Sequence, residues 1–297
     1  CGLEDFQKLL SFHESGWDAA TSAEERPFGV GFSKCLYAAT RCVVTSGGQR
    51  VDIDTEAALA RALITVEQVP ECEATNGTRV ELHGVDLPDL GTRVEELCLG
   101  FPVAVLFNGQ PLKRPLAEGH LATQASPIGA VHLAGTLDGK YSHETMVFLQ
   151  GFCVLKPTYC LRDELNVVHL DSRQFMARLP DRDKLIDEDV QRKRIDAELK
   201  ACWRNTLEIA RTRLSPERFV ETYYAVMRGW GQLDLLNDLD VLPAELCDAI
   251  VGYPIQEGHG SREFVQQVAP APTRSEIESG VARLVALDSV GDDNGAR

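Results

Sequence analysis

The residues best suited to chemistry in this sequence form a short run of glycines and aromatics. The run consists of Phe28, Gly29, Val30, Gly31 and Phe32. Glycine lets backbone N–H groups approach a phosphate closely, and a helix N-terminus adds a positive dipole. A helix is predicted directly afterwards, over roughly residues 33–39 and opened by Ser33, so the run either forms a tight turn or handles a phosphate.

Two common phosphate motifs are not found in the chain. The run has no third glycine of the dinucleotide fingerprint, and no G-x-x-x-x-G-K-[ST] motif occurs anywhere. Neither a Rossmann site nor a P-loop site is therefore supported. Taken alone, a G-x-G before a helix favours a tight turn.

The elements that must position this run are predicted as one antiparallel sheet. A β-branched stretch at residues 41–46 follows the helix, and period-two alternation resumes at residues 49–55, 62–69 and 78–87. Residues 76–78, Asn-Gly-Thr, predict a turn before the last strand. A short helix is then predicted around residues 92–101, and an Asn-Gly pair at 108–109 closes a strand pair.

The second half of the chain changes from strands to helices. Residues 129–157 are predicted as two strands joined by an Asp-Gly turn at 138–139. The strongest helix prediction covers residues 188–214, where Ile195, Leu199, Cys202, Thr206 and Ile209 share one face. A second helix is predicted after Ser215 as N-cap with Pro216 in its first turn, a third over residues 242–254, and one more over 274–287.

Composition limits the classes of function. With 30 Lys+Arg against 45 Asp+Glu, the formal net charge is −15, which repels nucleic-acid phosphates over most of the surface. Direct nucleic-acid binding is therefore not expected. The sequence contains neither a signal peptide nor an apolar run near ~20 residues, so no membrane association is expected either.

The cysteines and histidines indicate neither a disulfide framework nor a metal site. The nine cysteines form no C-x-x-C pair and mostly adjoin apolar residues, which predicts free thiols and a cytoplasmic location. The seven histidines show no H-x-x-x-H or H-E-x-x-H spacing, and no metal ligand is assigned in this chain.

The order of these features resembles the GHKL (Bergerat-fold) ATPases, which include heat-shock chaperones, MutL-type repair proteins, gyrase-type topoisomerases and relatives of the histidine kinases. Cys1-Gly2 matches the last two residues of the D-x-G-x-G box and precedes a predicted helix. A mobile lid would follow over Ser11 to Pro27, containing Ser15 and Gly16. The G-x-G-F box falls on Gly29 to Phe32, Ser33-Lys34 continue the match, and the final Gly-Thr box falls on Gly77-Thr78.

The resemblance covers roughly residues 1–113 and implies an ATP site with Mg²⁺. Its cofactor-binding residues would be Gly2, Ser15, Gly16, Phe28, Gly29, Val30, Gly31, Phe32, Ser33, Gly77 and Thr78. The family's catalytic Glu, its Mg²⁺-binding Asn and its base-reading Asp would all lie upstream of Cys1. We therefore expect an N-terminally truncated chain with no catalytic residue of its own, which binds ATP poorly and does not hydrolyse it.

A transducer domain follows in MutL- and gyrase-like members, and one of its lysines reaches the γ-phosphate. The segment "LPDRDKLID" holds a comparable place after a strand and before the long helix, which makes Lys184 the candidate, with Arg182 behind it. The alternative is that residues 181–184 form a solvated capping corner with no phosphate contact.

The implied fold is α+β. It comprises a partial Bergerat-type α/β sandwich at residues 1–113, with a mixed, largely antiparallel sheet and helices on one face. A transducer-like α/β domain with a helical C-terminal part follows at 114–258, and a loosely ordered segment at 259–297.

The expected function is ATP-dependent lid closure and dimerisation that remodel an unknown protein partner, with a homodimer as one possibility. A non-catalytic scaffold derived from such an ATPase is the alternative. Sensor-kinase chemistry is disfavoured, because no phospho-accepting His lies on an amphipathic dimerisation helix.

Overall fold

A computed structural model describes residues 6, 8, 9, 11, 18–20, 22, 31–157, 165–178, 182–241, 243, 253–254, 264–265 and 273–281. The chain is mixed α+β with antiparallel sheets and several helices, which confirms the predicted class. Most of the helix predicted over residues 242–254 lies outside the described residues.

By contacts between its own residues, the chain divides into two compact units. The first contains Cys1–Leu121, Phe148–Leu155 and His169–Glu188, and the second contains Ala122–Val147, Lys156–Val168 and Asp189–Arg297. The domain boundaries expected at residues 113 and 258 stay predictions.

The first sheet holds four strands in the order β3-β2-β1-β4. They are β1 Arg41–Gly47, β2 Gln49–Asp54, β3 Val66–Gln68 and β4 Thr75–His83. All neighbouring pairs are antiparallel, as the alternation predicts. Helix α1, Gly31–Ala38, precedes β1 directly.

One face of this sheet is apolar. Cys42 pairs with Ile53 and Val44 with Val51, and all four side chains are at most 2% exposed. Leu36 of α1 and Phe6 are buried in the same cluster, so α1 is held by packing on this face.

The opposite face carries charged side chains on β1, β2 and β4 around the buried Val43. Arg41 Nε donates to Asp52 Oδ1 at 2.7 Å, and a second guanidinium nitrogen of Arg41 contacts Asp52 Oδ2. Arg79 pairs with Glu81 on β4. This alternation of apolar and charged residues fixes which face is covered.

Two local features differ from the sequence predictions. Residues 76–78 do not form a turn but lie inside β4, where the β1–β4 register shifts and Gly77 adopts a φ of +129°. Gly77 thus accommodates an irregularity in the β1–β4 hydrogen-bond ladder and is not part of a hairpin turn. Helix α2, Thr55–Leu59, was not predicted, although Asp54 caps it by accepting from the N–H of Ala57 at 2.8 Å.

A helix and a hairpin follow the sheet in the first unit. Helix α3 covers Leu90–Leu97 and has no buried residue. Strands β5 Leu106–Phe107 and β6 Gln110–Pro111 form the hairpin. Asn108 and Gly109 both have positive φ, at 51° and 77°, which confirms the predicted turn.

The second sheet has the order β10-β9-β11-β8-β7. Its strands are β7 Gln124–Ser126, β8 Gly129–His132, β9 Thr145–Leu149, β10 Phe152–Leu155 and β11 Asn166–Leu170. The prediction that β8 and β9 form one hairpin is wrong, because β11 lies between them. The hairpin instead joins β9 to β10 through Gln150 and Gly151, both with positive φ.

Two long helices supply much of the second unit's core. Helix α4, Glu188–Arg213, and helix α5, Pro216–Gly229, confirm the predictions, and the Ser215 hydroxyl accepts from the N–H of Arg218 at 3.3 Å. Ile209, predicted on the core face, is 43% exposed, whereas Trp203 and Leu207 are fully buried. Strands β12 Tyr253–Pro254 and β13 Phe264–Val265 pair with each other, and helix α6 covers Arg274–Glu278.

Candidate functional site

The structure describes about half of the predicted nucleotide-binding residues. Gly2, Ser15, Gly16, Phe28, Gly29 and Val30 lie outside the described residues. Gly31, Phe32, Ser33, Gly77 and Thr78 are described, as is Lys184. All six belong to the first compact unit.

Helix α1 begins at Gly31, two residues before the predicted start at Ser33. Ser33 is buried at 7% exposure, and Phe32 packs against the apolar cluster of the sheet. These two side chains therefore hold the helix on the sheet. Gly31 remains exposed at the helix start, where backbone N–H groups have no partner within the helix.

Within the described part of the chain, nothing requires a glycine at position 31. A Cβ there would meet no heavy atom within 4 Å, and its φ lies outside the positive range. Glycine is usually retained for a positive φ, for tight packing or for the close approach of another backbone or ligand. Neither of the first two reasons applies among the described residues, so the space beside Gly31 is open to a close approach.

A pair of hydroxyls links β1 to β4 beside the apolar face. Ser46 and Thr78 are direct cross-strand partners, and their hydroxyl oxygens lie 2.9 Å apart. The Ser46 hydroxyl also lies 3.3 Å from the carbonyl of Gly77, as a donor. Ser46 is 2% exposed whereas Thr78 is exposed, so the buried hydroxyl orients the outer one.

Sequence reasoning missed Ser46 as a member of this pair. Its position was visible in the alternation of β1, because Cys42, Val44 and Ser46 share one face. What the sequence did not reveal was the partner strand, since the β1–β4 register depends on the irregularity at Gly47.

An ion pair lies on the charged face of the same sheet. The hydrogen bond from Arg41 lowers the pKa of Asp52 below its usual value, and it raises the pKa of Arg41. Both side chains are more than one-third exposed, so the pair contributes little to the free energy of unfolding. The main effect of the Arg41–Asp52 pair is to keep this face of the sheet polar.

Lys184 lies on an exposed turn between β11 and α4. Its carbonyl accepts from the N–H of Arg178 at 2.7 Å, and a β-bridge joins Ala177 to Leu185. Arg182, at a φ of 54°, donates to Gln150 Oε1 at 2.8 Å. The backbone around Lys184 is thus fixed, while within the described part of the chain its ammonium group has no ion pair.

The second unit contains a loop, residues 133–144, that is fixed from two sides. Asn166, fully buried, accepts from the N–H of Ala134 at 3.0 Å and donates to the carbonyls of Ser142 and Glu144. Tyr223 donates its hydroxyl to the carbonyl of Thr136 at 2.6 Å. A cavity of about 280 Å³ is lined by residues 132–138 and Lys140.

Two further observations concern the described part of the chain. None of its helices is both long enough and apolar enough to cross a membrane. Within the same residues, no three side chains of His, Cys, Asp or Glu come together as a metal-ligand set. The Mg²⁺ ligands implied by the resemblance therefore stay a prediction.

Comparisons with known proteins add no family assignment. No family model matches the chain, and no curated protein matches it significantly.

Proposed function

We propose that this chain carries part of an ATP-binding domain of the GHKL type. The observation that carries the proposal is the pair of hydroxyls of Ser46 and Thr78 on neighbouring strands, next to an apolar sheet face. An adenine ring has apolar faces and polar edges, so the exposed side chains of Val80 and Leu82, with the oriented Thr78 hydroxyl beside them, suit it.

The phosphate end of the proposed site is the start of α1. Gly31 is exposed with open space where a Cβ would stand, and the helix dipole favours an anion there. Lys184 is the candidate γ-phosphate contact, because backbone hydrogen bonds hold its turn in place while its side chain is exposed. The remaining lid and glycine-box residues, Gly2, Ser15, Gly16 and Phe28 to Val30, extend the proposal from the sequence resemblance.

The proposed activity is ATP-dependent lid closure that remodels a protein partner. Isothermal titration calorimetry with ATP and Mg²⁺ tests the binding step on the encoded protein, including any residues upstream of Cys1. Saturable binding of one nucleotide per chain is expected. No heat of binding at millimolar ATP would contradict the proposal.

A matched pair of glycine variants sharpens this test. Gly31→Ala introduces a methyl group that the fold can accommodate, and it should weaken ATP binding about tenfold by blocking the helix N-terminus. Gly119→Ala is the control, because a Cβ at Gly119 also meets nothing within 4 Å and its φ is not positive. Equal affinities of the two variants would argue against a phosphate site at α1.

A non-catalytic scaffold is the second candidate, favoured by the exposed apolar residues of α3. Leu90 and Leu97 are 42% and 57% exposed on one side of a helix that buries no residue. Gly29→Ala combined with Gly31→Ala separates the two functions. A scaffold keeps its partner in a pull-down with these substitutions, whereas an ATPase loses turnover.

A further inference from the structure

The tip of the β5–β6 hairpin is formed by two residues, Asn108 and Gly109. Phe107 and Gln110 pair across the turn on either side of them. Asn108 and Gly109 are both exposed, and both have a positive φ, as a two-residue hairpin turn of this type requires. In any Asn-Gly pair, the glycine nitrogen and the asparagine Cγ can close a five-membered ring, because only three atoms lie between them.

Neither of these two groups is held by a hydrogen bond. Within the described part of the chain, the side-chain amide of Asn108 and the N–H of Gly109 have no hydrogen-bond partner. The nearby N–H of Leu112, by contrast, donates to the carbonyl of Val105 at 2.9 Å. A hydrogen-bonded group must give up its bond before it reacts, and that step costs free energy. Asn108 and Gly109 have no such bond to break.

The surroundings of Gly109 leave room for the ring to form. A Cβ built at Gly109 would meet no heavy atom within 4 Å, so no neighbouring group crowds the turn there. Glycine itself has no Cβ that would hinder the approach of its nitrogen to the preceding side chain. Both conditions favour ring closure at Asn108 over ring closure at an asparagine such as Asn205, which precedes Thr206.

The hairpin needs little free energy to open. It contains only two residue pairs, and Leu106 is 67% exposed. A two-stranded hairpin is marginally stable in water, and segments with few buried apolar contacts open most readily. In the opened state, Asn108 is free to rotate until its Cγ faces the Gly109 nitrogen.

We propose that Asn108 is a site of spontaneous deamidation, with water as the only co-reactant. The Gly109 nitrogen loses its proton to the solvent and attacks Cγ of Asn108. The new N–Cγ bond closes a succinimide ring, the Cγ–Nδ2 bond breaks, and Nδ2 takes up a proton and leaves as ammonia. Water then opens the ring at one of its two carbonyls. The net reaction exchanges water for ammonia and gives aspartate or isoaspartate.

Either product changes the hairpin. Isoaspartate carries the main chain through Cβ and Cγ, which adds a methylene group to a turn whose two-residue length sets the strand pairing. Both products also add a negative charge to a chain whose net charge is −15. Phe107 joins the hairpin to α3, since its ring lies 3.4 Å from the place that a Cβ of Gly91 would take. Deamidation therefore loosens the contact between the hairpin and α3.

Ageing of the purified chain tests the proposal without any nucleotide, so the result does not depend on the proposed ATP site. The protein is incubated at neutral pH and physiological temperature, and samples are digested with trypsin and measured by mass spectrometry. Trypsin places the three Asn-Gly pairs of the sequence, at 76–77, 108–109 and 294–295, in separate peptides. Isoaspartate is identified separately by methyl transfer from S-adenosylmethionine with an isoaspartyl methyltransferase.

The pair Asn76-Gly77 is the internal reference, because it is the same dipeptide in a different structure. It lies in β4, where Thr78 pairs with Ser46 and the Ser46 hydroxyl donates to the Gly77 carbonyl. Backbone held in a ladder opens less often, so Asn108 should deamidate at least about tenfold faster than Asn76 in the folded protein. In guanidinium chloride, which unfolds the chain, the two rates should become similar. Equal rates in the folded protein overturn the proposal, as does an Asn108 that stays intact while the unfolded chain deamidates there.

Gly109→Ala tests the attacking nitrogen. The added methyl group hinders the attack, so deamidation at Asn108 should be at least about tenfold slower. The open space at Gly109 accommodates the methyl group, and circular dichroism confirms that the variant is folded. Gly119→Ala is the matched control, because a Cβ there also meets nothing within 4 Å, and it should leave the rate unchanged. A Gly109→Ala chain that deamidates as fast as the wild type overturns the proposed route. The comparison of Asn76 with Asn108 uses the wild-type protein and remains decisive if the variant is unfolded.

Discussion

The hydroxyl oxygens of Ser46 and Thr78 lie 2.9 Å apart across β1 and β4, and only Thr78 is exposed. When Ser46 donates to the Gly77 carbonyl, Thr78 donates to Ser46 and keeps its own lone pairs for an external donor. The exocyclic amino group of adenine is such a donor. The hydrogen bonds of the buried Ser46 thereby leave the exposed Thr78 oxygen as a hydrogen-bond acceptor.

Removing the Thr78 hydroxyl should weaken ATP binding without harming the fold. Thr78→Val keeps the shape and β propensity of the side chain but loses one hydrogen bond, worth about 0.5–1.5 kcal/mol or roughly 3- to 10-fold in affinity. Thr78→Ser retains the hydroxyl and should bind as the wild type does. Calorimetric titration measures both variants, and equal affinities of Thr78→Val and wild type would exclude a contact at this position.

Gly139 should tolerate no side chain. Its φ is +71°, and a Cβ would overlap with the carbonyl oxygen of Thr222 on α5. Gly139→Ala should therefore lower the free energy of unfolding by about 3 kcal/mol or more, from left-handed strain plus steric displacement. Gly109→Ala is the control with a similar φ but open space, and it should cost only about 1–2 kcal/mol. Urea unfolding compares the two, and equal losses would contradict the packing at Gly139.

Asn166 should be required for stability. It is fully buried and makes three hydrogen bonds with the 133–144 loop. Asn166→Ala leaves buried backbone groups without partners, which should cost about 2–4 kcal/mol. Asn205→Ala, at an exposed position on α4, should stay within about 0.5 kcal/mol of the wild type. A similar loss in both variants, measured by urea unfolding, would argue against the network.

His169 should make stability fall as the pH falls below about 6.5. Burial lowers the pKa of this imidazole, which stacks on Phe148 at 5.1 Å and donates its Nε2 proton to the carbonyl of Leu116 at 2.8 Å. The unfolded chain, with a pKa near 6.5, then binds more protons than the folded chain between the two pKa values. The free energy of unfolding therefore decreases through this window as the solution is acidified.

The His169→Gln variant isolates that contribution. Chemical unfolding at pH 7.5 and about 5.5 should show a smaller loss of stability on acidification in the variant than in the wild type. His120→Gln, at an exposed position, should keep the wild-type loss. An unchanged pH dependence in His169→Gln would contradict the assignment.

Elements with strong local signals could be predicted from the sequence. The start of α5 could be predicted from Ser215 and Pro216, because an N-cap serine and a proline in the first turn favour a helix start through interactions with adjacent residues only. The same holds for the Asn108-Gly109 hairpin, whose residues tolerate positive φ. The apolar and charged faces of β2 also follow from period-two alternation, whereas Val43 of β1 is buried on the charged face.

Features set by distant partners could not be predicted. Residues 76–78 have the composition of a turn, yet pairing with β1 draws them into β4. The insertion of β11 between β8 and β9 depends on the sheet order, which no local pattern encodes. For the candidate site, the sequence names Gly31 and Thr78 as candidates, but the pairing of Ser46 with Thr78 depends on the β1–β4 register.

The fixed 133–144 loop also has a practical consequence for labelling the protein. Surface loops are the usual places for inserting a tag, and Leu137 at 94% exposure makes this one an attractive choice. Its backbone, however, is held by Asn166 and Tyr223, so an inserted peptide would break the bonds that position it. The Asn108-Gly109 hairpin, which is exposed and has open space around its glycine, is the better place for an epitope or a fluorophore.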